Sequence, residues 1–172
     1  MVSYNSILDI QFNDGVPVEP VLLTEAKDFC RIDIGTDDTL ITAIITAARI
    51  QCEKYTGVGF IAREVTAIVN NENGGIYLPY GPVIDILTVT NHNGDTLILD
   101  TDYTVSGIDY KRILTPKETD LTIVYNAGYD PLPEALKLGL LNAIYYMYDN
   151  RAQAAEDIGP IAKMILNPFR RV

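Results

Sequence analysis

Residues 37–57, DDTLITAIITAARIQCEKYTG, decide the fold class, because their pattern commits about twenty residues to one helix that the remainder must cover. Leu40, Ile41, Ile44, Ile45, Ala47, Ala48, Ile50 and Cys52 spread apolar surface around most of its circumference. One polar stripe is left at Thr42, Thr46, Arg49 and Glu53, whose steps of four, three and four follow the helical repeat. A helix of this kind is buried on most sides. Asp37 and Asp38 suit its start, where carboxylates cap free N–H groups and oppose the positive end of the dipole, and Gly57 can take the left-handed conformation that ends it. Arg49, Glu53 and Lys54 argue against a membrane span.

Working outward, Thr24 is placed to cap a shorter helix over 24–33, with Ala26, Phe29, Cys30 and the stem of Lys27 on its packing side. Gly35 and Thr36 turn the chain from it into the helix at 37–56, a tight helical hairpin. Before Thr24, alternation at Leu8, Ile10 and Phe12 followed by Gly15, Pro17 and Pro20 reads as a short strand and an extended arm over 1–23.

Past Gly57 the texture changes. Short β-branched runs separated by turn residues, REVTAIVN, GIYLPY, VIDILTVTN, TLILD, YTVSG, RILT and DLTIVYNAG, predict a β-rich insertion over about 60–127. Asn73-Gly74-Gly75 and Asn93-Gly94-Asp95 mark hairpins. A third helix, over 133–151, follows Pro131 and Pro133. Leu136, Leu140, Leu141, Ala143, Ile144, Tyr145, Tyr146, Met147 and Tyr148 cover most of its circumference, more apolar surface than two helices and one small sheet would hide. That surplus points to contact with another subunit, with Tyr145, Tyr148 and Arg151 as candidates; the alternative is amphipathic core tyrosines with hydroxyls at the rim. A last helix at 160–166 is expected to stop at Pro168. The architecture expected is α+β in one domain: an arm at 1–23, a helical body from 24–57 and 131–167, a β-rich insertion over 58–130, and a tail at 168–172.

Composition bounds function. In 172 residues, 48% are hydrophobic, which excludes disorder, and 13 basic against 23 acidic residues give a net charge of −10. Such a balance opposes tight, sequence-independent binding to a phosphate backbone. Cys30 and Cys52 lie on apolar helix faces without metal-ligand spacing and read as reduced core thiols. No basic residue precedes Lys27, so a secretory leader is not expected and synthesis in the cytosol is. No phosphate-binding loop, nucleophile elbow, HExxH or CxxC pattern is present. His92, the only histidine, falls in a turn region without a partner, and Asp100, Asp102 and Asp109 fit no calcium loop. The expectation is no catalytic residue, no metal and no cofactor, and a domain whose business is contact with other protein.

The run LTEAKDFCRIDIGTDDTLITAIITAARIQCEKYTG, with Lys27, Arg31, Asp33, Glu53, Tyr55, Thr56 and Gly57 in order, resembles the opening of the head-tail connector (adaptor) proteins of tailed bacteriophages and prophages. The similarity continues through Pro82-Val83 with Ile86, Asp102-Tyr103, VYNAGYDPLPEALK, Tyr148-Asp149-Asn150-Arg151 and the terminal ILNPFRRV, as in the larger variant with a β-rich insertion. Cys30, Asn126 and the arm before Thr24 depart from the pattern. The resemblance implies a homo-oligomeric ring at the head-tail interface of a virion. The ring would lie between the portal and tail-completion or stopper proteins, with double-stranded DNA passing through without specific binding. It further implies assembly from subunits made in the bacterial host cytoplasm, without a membrane. On that reading Leu166, Phe169, Arg170, Arg171 and Val172 form the portal-docking element, since Phe169 offers an aromatic anchor and the arginines planar donors for carboxylates on an acidic chain. Two other readings stay open: a tail-completion or stopper protein of the same particle, and a cytosolic ligand-binding regulatory domain.

Overall fold

The computed structural model describes residues 7–13, 18–70, 75–115, 120–150 and 157–171. In chain order the elements are β1 (Ile7–Phe12), α1 (Leu23–Cys30), α2 (Asp38–Thr56), β2 (Arg63–Asn70), β3 (Ile76–Tyr77), β4 (Val83–Asn91), β5 (Thr104–Ser106), β6 (Arg112–Leu114), β7 (Asp120–Ala127), α3 (Glu134–Asp149) and α4 (Pro160–Leu166), with a 3₁₀ turn at Asn167–Phe169. The class is α+β. The chain divides into two compact units, residues 1–17 with 62–128 and residues 18–61 with 129–172.

The first unit holds two antiparallel sheets, one ordered β1-β2-β7-β4 and one ordered β3-β6-β5. Strict alternation in β7 buries Leu121, Ile123, Tyr125 and Ala127, and the facing positions Val65, Ala67 and Val69 of β2 join them with Ile76 and Ile113 of the smaller sheet in one apolar cluster. The buried Tyr125 keeps its hydroxyl satisfied by donating to the Pro79 carbonyl at 2.9 Å, and burial pushes that hydroxyl's pKa up.

Two expectations, the parity of the first strand and the strand at TLILD, need correction here. A register shift between Ile7 and Asp9 in β1 changes the parity of the strand, so Ile7 and Ile10 pack on the core while Leu8 is exposed. TLILD does not form a strand: the Thr101 and Asp102 N–H groups donate to the Ile98 carbonyl, Asp102 accepts the Ile98 N–H, and Asp100 is left-handed at φ 64°. The segment before residue 24 is divided between the two units: β1 pairs with β2 in the first, whereas Val21 is fully buried in the second. The turn at Asn93-Gly94-Asp95 forms as expected, with Gly94 at φ 87°; Asn73 and Gly74 lie outside the described residues.

In the second unit α2 packs on α1 and α3, and α3 on α4. The Tyr148 hydroxyl donates to Asp37 Oδ2 at 2.6 Å, so α3 ends where α2 begins and the two run antiparallel. Asp37 and Asp38 make no side-chain cap. Their carboxylates reach sideways instead, Asp37 to Tyr148 and Asp38 to the Lys27 ammonium at 2.6 Å. α1 begins one residue before Thr24, because the Glu25 carboxylate accepts the Leu22 N–H at 2.9 Å. It ends at Cys30, short of residue 33, where Arg31 turns left-handed at φ 57°. Ala26 is its buried contact, the small side chain permitting close approach, and Phe29 is exposed.

The largest difference concerns α2. Leu40 and Ile50 of its apolar surface are exposed, whereas Arg49 and Glu53 of its polar stripe are each only 3% exposed. Arg49 donates through Nε to Glu19 at 2.7 Å and through Nη1 to Glu53 at 3.0 Å, and Glu53 accepts the Phe60 N–H at 2.9 Å. Charges this deeply buried persist only with partners, and each here has them. Among the described residues no helix is long and apolar enough to cross a membrane.

Candidate functional site

The tail is seated by α4 and by the end of α2. α4 approaches α3 closely at Gly139, where a Cβ would lie 2.5 Å from Leu166 Cδ2. Leu166, expected as part of a docking element, is therefore a fully buried anchor that fixes the segment to its own helical body. Pro168 does not end the chain's helical path. A 3₁₀ turn runs through it to Phe169, because proline is tolerated near the start of a helical turn, where its missing N–H is not needed.

Beyond Phe169, which is half-buried, Arg170 and Arg171 are exposed. The Arg171 N–H donates to the Thr56 carbonyl at 2.7 Å, and the Arg170 guanidinium lies over the Tyr55 ring at 4.9 Å from its centroid. Val172 lies outside the described residues. Arg170 and Arg171 are thus brought against the last turn of α2, which closes with Gly57 left-handed at φ 71° and its N–H on the Glu53 carbonyl.

Beside this point an open cavity of about 460 Å³ is lined by Gln51, Lys54, Tyr55, Asp157, Ile158 and Lys163. Asp157 accepts from Lys163 Nζ at 2.7 Å and from the Gly159 N–H at 3.1 Å, which holds its carboxyl below the usual range. The same bond holds the Lys163 ammonium above its usual pKa. None of these six residues stands out in the sequence as functional. Lys54 is one residue from Tyr55 on α2, but only the packing of α4 brings Lys163 to it.

Of the subunit-contact candidates, Tyr145 is 48% exposed, and Leu138, seven residues earlier on the same helix, is similarly open. Ile161 and Met164 of α4 are also exposed. Tyr148 is half-buried, its hydroxyl tying α3 to Asp37. Arg151 lies outside the described residues. Cys30 and Cys52 are free thiols, half-buried and buried, and burial raises the pKa of both. His92 is an exposed turn residue. Among the described residues no group of three or more His, Cys, Asp or Glu side chains is arranged to hold a metal.

The fold matches chains from solved gene transfer agent (GTA) particles. One, from the neck of the empty GTA particle computed with C6 symmetry, has a TM-score of 0.75 at 18% identity, covering 96% of both chains. A chain from the virion of the native particle gives 0.74 at 18% identity over 95% of both. A third, from the neck of the native particle computed with C12 symmetry, gives 0.74 at 16% identity over 96% of both. No curated protein matches the sequence. The family model for head completion protein matches residues 21–172, which takes in both helical segments, the β-rich stretch and the tail. The chain belongs to the head completion protein family.

Proposed function

We propose that the chain is a structural head-tail connector, or adaptor, of a tailed-phage-like particle. Copies form a ring beneath the portal, tail-completion or stopper proteins attach to it, and DNA passes through the centre. The observation that carries this reading is the match to head completion protein over residues 21–172. The likeness to neck chains over nearly the whole length supports it, as do the C6 and C12 symmetries with which those necks were computed, since a heterologous contact whose rotation closes generates a ring.

Lateral contact falls to the exposed apolar side chains Leu138 and Tyr145 on α3 and Ile161 and Met164 on α4. Portal docking falls to Phe169, Arg170, Arg171 and Val172, with Leu166 as their internal anchor. A net charge of −10 repeated in every copy makes the ring strongly negative, so duplex slides through without sticking.

Truncation after Asn167 tests the docking assignment. The truncated chain keeps its circular dichroism and melting behaviour and loses co-sedimentation with portal-bearing capsids; unchanged capsid binding rules the assignment out. Submicromolar binding of linear duplex at about 0.15 M salt, where basic proteins still hold phosphate, rules out the passive channel.

A further inference from the structure

The cavity beside the tail carries a charge opposite to that of the chain. Its lining holds Lys54 and Lys163, and the Arg170 guanidinium lies over the ring of the lining Tyr55, against one lining carboxylate, Asp157, which already accepts from Lys163 and the Gly159 N–H. Three cations less one carboxylate leave an excess of two positive charges among these residues, on a chain whose net charge is −10. The carbonyls of Cys52, Glu53 and Thr56 are taken by the Thr56 hydroxyl, the Gly57 N–H and the Arg171 backbone N–H.

We propose that this cavity is the seat for a carboxylate-bearing peptide segment of the portal-side partner, an Asp or Glu flanked by an apolar residue. The proposal rests on the tail-docking reading and extends it from the tail to Lys54 and Lys163. The exposed Lys54 supplies a point charge at the cavity wall, and a guanidinium lying over an aromatic ring still offers edge N–H groups to a carboxylate. The Ile158 side chain and the Tyr55 ring supply the apolar lining for the flanking residue.

Charge extent favours a peptide over a nucleic acid. Duplex DNA carries a negative charge about every 1.7 Å of axis, so it would run off a spot this small onto the surface of an acidic chain. A single carboxylate meets the spot alone.

The experiment is co-sedimentation of the full chain with portal-bearing capsids, comparing wild type, Lys54→Gln, Lys54→Glu and Lys54→Arg, with the chain truncated after Asn167 alongside. Lys54 is exposed, so all three substitutions leave the fold intact, checked by circular dichroism. Lys54→Glu weakens capsid binding roughly tenfold, Lys54→Gln by less, and Lys54→Arg restores it, with the wild-type affinity falling as salt rises. If Lys54→Glu binds capsids like wild type while the truncated chain does not, the cavity assignment is wrong and tail docking stands. If neither change alters binding, both are wrong. If Lys54→Glu instead reduces retention of linear duplex and leaves capsid binding unchanged, the spot is a nucleic-acid contact and the proposal is overturned.

Discussion

The two units bury their cores by different chemistry. In the β unit the buried cluster is hydrophobic, built from alternate residues of β2 and β7 with the inward side chains of their neighbours, and among the described residues the unit buries no charged side chain, Thr115 being its buried polar one. In the helical unit the buried set includes Arg49 and Glu53, with Arg49 bonded both to Glu53 and to Glu19. A strand offers only two faces, so one residue's burial fixes that of its neighbours at a spacing of two. A helix offers a continuous circumference, and which arc is covered depends on every element packed around it. Polar residues on an apolar-rich helix can therefore lie on the covered side when a partner arrives from elsewhere in the chain, as Glu19 does here.

The largest effect that tests this contrast is Arg49→Met. Removing the guanidinium takes the counter-charge from the buried Glu53 and from Glu19, a change expected to cost about 3–5 kcal/mol against a total of roughly 5–15. Urea unfolding midpoints measure it. A double-mutant cycle with Glu53→Gln should recover part of the loss, because the two side chains act on one another. An Arg49→Met chain as stable as wild type would mean that the buried ion network does not hold the helical unit together. For the β unit the matching change is Ile123→Ala, which empties apolar space without stranding a charge and should cost about 2–5 kcal/mol. Here no second-site polar change should compensate, and recovery by one would break the contrast.

Residue texture explains which parts were legible in the sequence. The bounds of β2 and β4 coincide with the runs REVTAIVN and VIDILTVTN, since alternating β-branched residues between turn formers leave little choice. TLILD has the same composition and is not a strand, because the turn chemistry of Asp100 and Asp102 outweighs its β preference. The parity of β1 was hidden by an irregularity that no side chain announces. On α2 the burial of Arg49 could not be read locally, its partner Glu19 lying thirty residues earlier. The cavity at the tail was illegible for the same reason: Lys54 and Lys163 meet only through the packing of α4. Phe169, Arg170 and Arg171 were legible as a group because they are adjacent in the chain, but the burial of Leu166 was not.

A smaller effect sharpens the account of that packing. Gly139→Ala adds a methyl group where Leu166 Cδ2 already lies 2.5 Å from the Cβ position, so α4 must shift or Leu166 must leave its rotamer. The expected cost is about 1–3 kcal/mol, read as a lowered melting temperature, with the tail released in hydrogen exchange at residues 160–171. The β unit's amides should keep their protection. Uniform loss of protection in both units would show that α4 is not a separable attachment.

The smallest effect is a pH dependence confined to the helical unit's surface ties. Glu25 accepts a hydrogen bond from Lys137 Nζ and another from the Leu22 N–H, and these, with the Lys137 charge, hold its carboxyl below the ordinary 4.5 against a weaker opposing effect of burial. Because the folded value is the lower one, the unfolded chain binds more protons in the interval between the two, and stability rises with pH there. The contribution is complete above about pH 4.5 and is lost as pH falls through the lowered folded value. The Glu25 side chain is 38% exposed, so solvent screening keeps the contribution under about 1 kcal/mol. Glu25→Gln removes the titration, and the wild-type advantage in melting temperature over this variant should shrink as pH drops from about 6 to about 3. An advantage that stays constant over that range would assign the Glu25 contribution to its packing and its bond to Leu22 rather than to the ion pair that joins α1 to α3.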